Sequence, residues 1–174
     1  GASLEKIKQV VDVRKGEIMF GLNMVVNKGK TIFIADTSVH EYPTSEEMAE
    51  IAISAARVVR LFGIDPKIAF VSHSTFGQPL TSRTKHIRTA VDILKDKQVN
   101  FEFDGDMQPD VALNSDYEEL YPFSKIVGKA NILIMPGQHS AAISYKLMKT
   151  FGNTKVIGPL LIGLGLPIEI APLR

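Results

Sequence analysis

The chain contains no cysteine, which excludes disulfides, thiolate metal sites and a cysteine nucleophile. Neither sign of charge dominates: 20 basic and 19 acidic residues leave a formal net charge of +1. No bulk field therefore draws nucleic acid or a membrane surface. No apolar run approaches the roughly 20 residues that span a bilayer. The opening, Gly1-Ala2-Ser3-Leu4-Glu5-Lys6, lacks the apolar core of a secretory signal, so the expected compartment is the cytoplasm. Internal repeats, low-complexity tracts and long linkers are missing too. What remains is an ordinary globular composition, 45% hydrophobic and 22% charged over 174 residues, enough for one domain with a sizeable core.

Several catalytic signatures are also missing. Gly163-Leu164-Gly165 lacks the third glycine of a dinucleotide fingerprint, because Ile168 occupies its place. There is no phosphate-binding loop ending in Gly-Lys-Ser/Thr and no nucleophile elbow around any serine. The histidines His40, His73, His86 and His139 are scattered without metal-ligand spacing.

The elements present alternate between strands and helices. Leu22 to Val26 and Thr31 to Ala35 are β-rich runs around Asn27-Lys28-Gly29, a hairpin signal with glycine for a positive φ. Thr44-Ser45-Glu46-Glu47 forms a capping box. The helix behind it carries Met48, Ile51, Ala55, Val58 and Phe62 at helical spacing and ends at Gly63. Its extra alanines suit core packing or, as the weaker alternative, a dimer contact. Ile68 to Val71 reads as a strand buried on both faces. A helix from about Ser82 to Lys97, a strand Phe101 to Phe103, a strand Ile132 to Met135, a helix Ser140 to Phe151 and a short strand Lys155 to Ile157 follow. The first 16 residues read as a short helix or a ragged lead-in, and residues 1–20 as a lead-in segment from a preceding domain or an expression scar. The alternation predicts a three-layer α/β/α sandwich around a mainly parallel sheet, with a hairpin near its start.

In such sheets ligands bind beyond the carboxyl ends of the strands, which points to three loops. The first carries Ser72, His73, Ser74, Thr75 and Gly77 ahead of a helix with Arg83, Lys85 and Arg88. Hydroxyls, amides and cations of this kind suit a phosphate or another anion; a polar connection with a Ser or Thr cap explains the same residues. His73 has no acidic neighbour to orient it and reads as a loop residue. The second loop, Asp104-Gly105-Asp106-Met107-Gln108-Pro109-Asp110, begins like a calcium loop. It then fails the pattern at Gln108 and has no closing glutamate, so a strand-end turn with Asp110 capping a short helix is preferred. The third, Pro136-Gly137-Gln138-His139-Ser140, is generic.

Taken in order, these segments resemble the phosphate acetyl/butyryl transferase family. Phe33-Ile34-Ala35-Asp36, Pro43-Thr44 through Ile51, Phe62-Gly63-Ile64-Asp65-Pro66, Gly128-Lys129-Ala130-Asn131 and Ile157-Gly158-Pro159 are similar to family segments. Asp104-Gly105-Asp106-Met107-Gln108-Pro109-Asp110 resembles the family's Asp-Gly-x-x-Gln-x-Asp signature, the most specific element. The resemblance assigns residues 21–174 to one phosphotransacetylase-like α/β domain. The loop Ser72 to Gly77 and the ending Pro167-Ile168-Glu169-Ile170-Ala171-Pro172 are similar to the carboxyl-terminal module of large malic enzymes. Transferases carry a Ser-Arg pair where Pro172 and Leu173 stand here, and proline and leucine offer no hydroxyl or guanidinium to an acyl phosphate. Gly137 and Ala142 replace two asparagines frequent in the family.

The resemblance implies a non-catalytic module that senses acetyl-CoA or a related acyl-CoA and self-associates as a dimer or larger homo-oligomer. The enzyme around it would oxidatively decarboxylate malate to pyruvate, with NADP or NAD and a divalent metal held elsewhere and no cofactor in this chain. An active phosphate acetyltransferase fragment and a purely structural dimerisation module are the alternatives. The ligand cleft implied draws on Ser72, Ser74, Thr75, Gly77, Arg83, Lys85, Asp104, Gln108, Asp110 and Gly137, with neither nucleic acid nor membrane as partner.

Overall fold

A computed structural model describes residues 9–11, 17–163 and 168–170. The tail positions Pro172 and Leu173 lie outside the described residues, as does most of the expected lead-in. Within that lead-in, β1 (Gln9–Val11) is a strand where a helix or ragged segment is expected. It pairs antiparallel with β8 (Ile168–Ile170) as a separate two-stranded sheet.

The hairpin forms from β2 (Phe20–Asn27) and β3 (Lys30–Ala35). Asn27 pairs with Lys30, so the connection is only Lys28-Gly29 and not the three-residue loop of the sequence reading. Both residues take the left-handed conformation, with φ of 49° and 77°. A loop of this kind has a twist that matches the flanking strands, and glycine meets its second position without strain.

Helix α1 (Ser45–Leu61) follows, then β4 (Lys67–Val71), α2 (Ser82–Lys97), β5 (Glu102–Met107) and α3 (Pro109–Ala112). A 3-10 turn at Ser115–Tyr117, β6 (Ile132–Ile134), α4 (Gln138–Lys149) and β7 (Thr154–Ile162) complete the main unit. Its six strands run in the order β5-β4-β6-β3-β2-β7. Pairing is parallel from β5 through β3 and antiparallel from β3 to β2 and β2 to β7. The sheet is thus mainly parallel, with β2 as the reversed strand.

Two apolar layers hold helices to this sheet. On one face α1 and α2 pack on Phe20, Leu22, Phe33, Ile68 and Phe70. On the other, Ala112 of α3 and Ala141 of α4 meet Val25, Ile34, Ala69 and Leu133. Ala49, Ala52, Ala55 and Ala56 of α1 are all buried. The small-residue surface of this helix is therefore core, and a dimer contact through it is not available.

Two strands are longer than their sequences suggest. β5 continues through Asp104-Gly105-Asp106 to Met107, where a loop is expected. β7 extends to nine residues against an expected three, crossing Gly158-Pro159 at a register shift opposite Asn23. Proline is tolerated there because β7 is an edge strand and the ladder is already interrupted.

The capping box of α1 is present in both directions: the Glu47 amide donates to Thr44 Oγ1 at 3.0 Å and the Thr44 amide to Glu47 Oε1 at 3.0 Å. The Thr44 amide holds the Glu47 carboxyl below its ordinary pKa; partial burial opposes this, and His40 assists it. His40 Nδ1 lies 3.0 Å from Glu47 Oε2. A carboxyl depressed in the folded state stabilises fully above its unfolded value and loses that stabilisation as pH falls through the folded one. In urea unfolding, Glu47→Gln should cost stability near pH 7, and the gap to wild type should close between pH ~5 and ~3. A gap that stays constant across that range would sink the assignment.

Candidate functional site

The carboxyl ends of β3, β4, β5 and β6 lie along one edge of the sheet, and each runs into a loop held by buried polar groups. Beyond β3, Asp36 is buried and its carboxyl accepts the amides of Gly21 (2.8 Å), Ser38 (2.9 Å), Val39 (3.1 Å) and His40 (2.5 Å). This single side chain folds the segment 37–40 and ties it to β2. Four amides on one carboxyl satisfy donors that the strand-to-helix connection would otherwise leave unpaired.

Asp106, with no solvent exposure, does the same for the loop after β4. Its Oδ1 accepts the Gly77 amide at 2.9 Å, and its Oδ2 accepts from Ser72 Oγ at 3.1 Å and from Ser74 Oγ. Its backbone carbonyl accepts the Phe76 amide at 2.6 Å. The hydroxyls of Ser72 and Ser74 and the amide of Gly77 therefore converge on a negative group, but that group belongs to the chain itself. Thr75 is buried as well, and its Oγ1 accepts the Gln108 amide at 3.2 Å.

Asp104 closes a third connection. Its oxygens accept the amides of Gly105 (2.9 Å) and Lys125 (2.8 Å). Gln108, not Asp110, is the N-cap of α3, and Asp110 sits exposed in the first turn. The expected cap is thus displaced by two positions, because β5 runs longer and α3 starts directly behind it. Among the described residues no group of three or more His, Asp or Glu side chains is placed to hold a metal ion.

An open cavity of about 350 Å³ lies at this edge, lined by Tyr42, Thr44, Ser82, Arg83, His86 and Pro136 among others. Arg83 stands over the Tyr42 ring, its guanidinium carbon 5.8 Å from the centroid, a stacking geometry suited to arginine. His86 braces the wall. Its Nε2 donates to the Pro43 carbonyl at 2.7 Å, and its Nδ1 lies 3.1 Å from Ser45 Oγ. With both ring nitrogens engaged, His86 is not free to act as a general base.

Gly137, next to Pro136, is buried, and a Cβ there would fall 2.2 Å from the Glu41 carbonyl oxygen. Glycine is required because two loops touch backbone to backbone. The Gln138 amide adds a 2.9 Å bond to the His40 carbonyl.

Of the residues expected in a ligand cleft, the structure brings Arg83 to the cavity and Gly137 beside it. Lys85 is exposed on α2 outside the lining, and Ser72, Ser74, Thr75 and Gly77 form the internal Asp106 network. Tyr42, Ser82 and His86 are the cavity residues that sequence reasoning missed. Thr44 was legible only as a helix cap. The available signal was position: residues 40–44 follow a strand of the same edge, and His86 stands three residues from Arg83 on α2.

Against this geometry, comparison with known proteins is decisive about kinship. The model of the family described as phosphate acetyl/butaryl transferase matches residues 1–172, and the chain belongs to that family. It is 44% identical over 169 residues to an NADP-dependent malic enzyme of Rhizobium meliloti, covering 97% of this chain and 22% of that protein. A phosphate acetyltransferase of Bacillus subtilis is 33% identical over 169 residues, covering 96% of this chain and 51% of the relative. A phosphotransacetylase structure from Streptococcus pyogenes superimposes with a TM-score of 0.81 at 30% identity, over 97% of this chain and 51% of that one. The chain thus spans about a fifth of the malic enzymes it is similar to and half of the transferases.

The Asp106 network gives a direct test of what organises the edge. Asp106→Ala leaves the Gly77 amide without an acceptor, and leaves the Ser72 and Ser74 hydroxyls only each other and the Ser74 carbonyl. At about 1–3 kcal/mol per stranded donor, urea unfolding should show a loss of at least ~1 kcal/mol. Asp110→Ala, on the surface, should stay within about 0.5 kcal/mol of wild type. Equal effects at the two positions would refute the distinction.

Proposed function

We propose that this chain is the regulatory and self-associating module of a malic enzyme, binding acetyl-CoA or a related acyl-CoA without transferring the acyl group. The observation that carries the reading is the fate of the loop after β4. Ser72, Ser74 and Gly77, the donors best suited to an acyl phosphate, are committed to Asp106. An entering phosphate would have to displace a buried carboxyl from its own partners. The neighbouring cavity offers the Arg83 cation but a histidine tied at both nitrogens. Such a site can hold an anion and has no group poised to take or give a proton. The Pro172-Leu173 ending, where transferases carry Ser-Arg, agrees with this reading.

Kinship with a malic enzyme over 22% of its length supports placing malate oxidation, with its NADP or NAD and divalent metal, in a different part of the protein. Acyl-CoA bound here would act at a distance, by differing in affinity between two states of the whole enzyme. The cytoplasm is the setting in which these ligands meet.

Self-association is supported by α4. Ile143, Leu147 and the following Phe151 are 67%, 58% and 62% exposed. They recur every fourth residue and form one apolar stripe along the helix. α4 buries Ala141 and packs Tyr145 and Met148 against the core, which leaves the side carrying Ile143 and Leu147 for another molecule. A second copy of the chain is the natural occupant, because the stripe would meet its own equivalent across a two-fold axis.

Three measurements check the proposal. Calorimetry should show acetyl-CoA binding to the whole enzyme, weakened at least tenfold by Arg83→Ala; silence up to millimolar ligand would leave a structural module only. Acetyl phosphate mixed with CoA should yield no acetyl-CoA, and turnover would make the chain a working transferase. Sedimentation should show Ile143→Glu/Leu147→Glu shifting the chain to monomer with an unchanged circular dichroism spectrum; an unchanged oligomer would clear α4 of that role.

A further inference from the structure

A second cavity, of about 600 Å³, has no part in the site above. It lies at the opposite edge, where β3 and β6 begin, between the sheet and the α3–α4 side. Val25, Ile32, Leu113 and Met148 make its apolar wall, with Lys30 and Lys129 at its border. A volume of this size, with an aliphatic wall and polar groups from Asn27, Thr31, Asn131 and Thr154 besides the two lysines, is typical of a small-molecule site.

The polar groups around it narrow the class of ligand. Asn27 Nδ2 is spent on Thr154 Oγ1 at 2.6 Å. Asn131 accepts the Lys67 amide and donates to the Asp65 carbonyl, both at 2.8 Å. Neither amide is wholly free for an occupant. The two ammonium groups are: among the described residues, neither Lys30 nor Lys129 is ion-paired, and no carboxylate lines the cavity. An apolar interior with two uncompensated cations at its border favours a molecule with an aliphatic body and one anionic end.

We infer that this cavity is a binding site for a linear anionic amphiphile, with its hydrocarbon against Val25, Ile32, Leu113 and Met148 and its carboxylate between Lys30 and Lys129. The inference is independent of the acyl-CoA reading, which concerns the other edge of the sheet. It adds a second ligand class to the chain. The cavity shares Phe151 with the apolar stripe of α4, so an occupant would also touch the proposed self-association surface. Ligand and assembly state would then be thermodynamically linked.

The test uses the full chain and the saturated carboxylates octanoate, decanoate and dodecanoate below their micellar concentrations. The chain has six methionines, and Met148 is the one that lines this cavity. With ¹³C-methyl methionine labelling, dodecanoate should shift the Met148 signal and leave that of buried Met48 in place. Affinity should rise about fourfold for each added CH₂. Lys30→Glu/Lys129→Glu, both on the surface, should weaken dodecanoate at least tenfold, and Arg83→Ala should not change it. Dodecyltrimethylammonium should bind wild type more weakly than dodecanoate by a similar factor. The inference falls if Met148 does not respond, if the charge-reversed variant binds dodecanoate as well as wild type, or if the cationic detergent binds equally. It falls too if dodecanoate merely dissociates the self-associated chain, because the cavity is then covered by a second copy.

Discussion

The side chain of Asp106 is buried at the end of β5 and accepts hydrogen bonds from three groups of the loop that leaves the adjacent strand β4. A carboxyl without solvent is costly unless its partners are complete, so the loop and the strand end cannot be varied separately. Asp36 imposes the same constraint on the connection from β3 to α1, and Asp104 on the segment at Lys125. The carboxyl edge of the sheet is thereby fixed by internal carboxyl groups before any ligand arrives. The cavity beside Arg83 takes its walls from the segments that these aspartates set: Tyr42 to Thr44 directly behind the Asp36 turn, and α2 behind the Asp106 loop.

Legibility in the sequence followed how local each cause was. α2 has the bounds expected, because Thr81 caps it and the apolar spacing of Ile87, Ala90, Val91 and Leu94 belongs to the helix alone. The capping box of α1 is likewise a contact between residues three apart. From sequence β5 looks short, because Asp-Gly-Asp has poor strand propensity. What keeps those residues extended is the β4 ladder and the amides of residues 77 and 125, none of them near in sequence. β7 looks short for a similar reason, since Gly158-Pro159 resembles a terminator until the strand is known to lie at the edge.

The site was legible in its chemistry more than in its geometry. Residue types at the end of β4 suit a bound phosphate or a polar connection, and in the structure their hydroxyls and amide turn to a carboxyl of the chain itself. That this carboxyl is Asp106, supplied from 29 to 34 positions away, follows only from strand adjacency. The same limit hid His86, whose role as a brace depends on a carbonyl 43 residues distant. Family resemblance covered nearly the whole chain and placed the fold correctly, because it sums many weak local agreements.

The Gly158-Pro159 interruption in β7 has a bearing on how copies of this chain can meet. A bare outer strand with a full row of amides invites another strand to add on, and repeated addition ends in fibres. Proline removes one of those donors, and the register shift beside it bends the row. Continuous sheet extension across this margin is discouraged. A contact between copies at this margin would have to run through side chains, outside the backbone ladder.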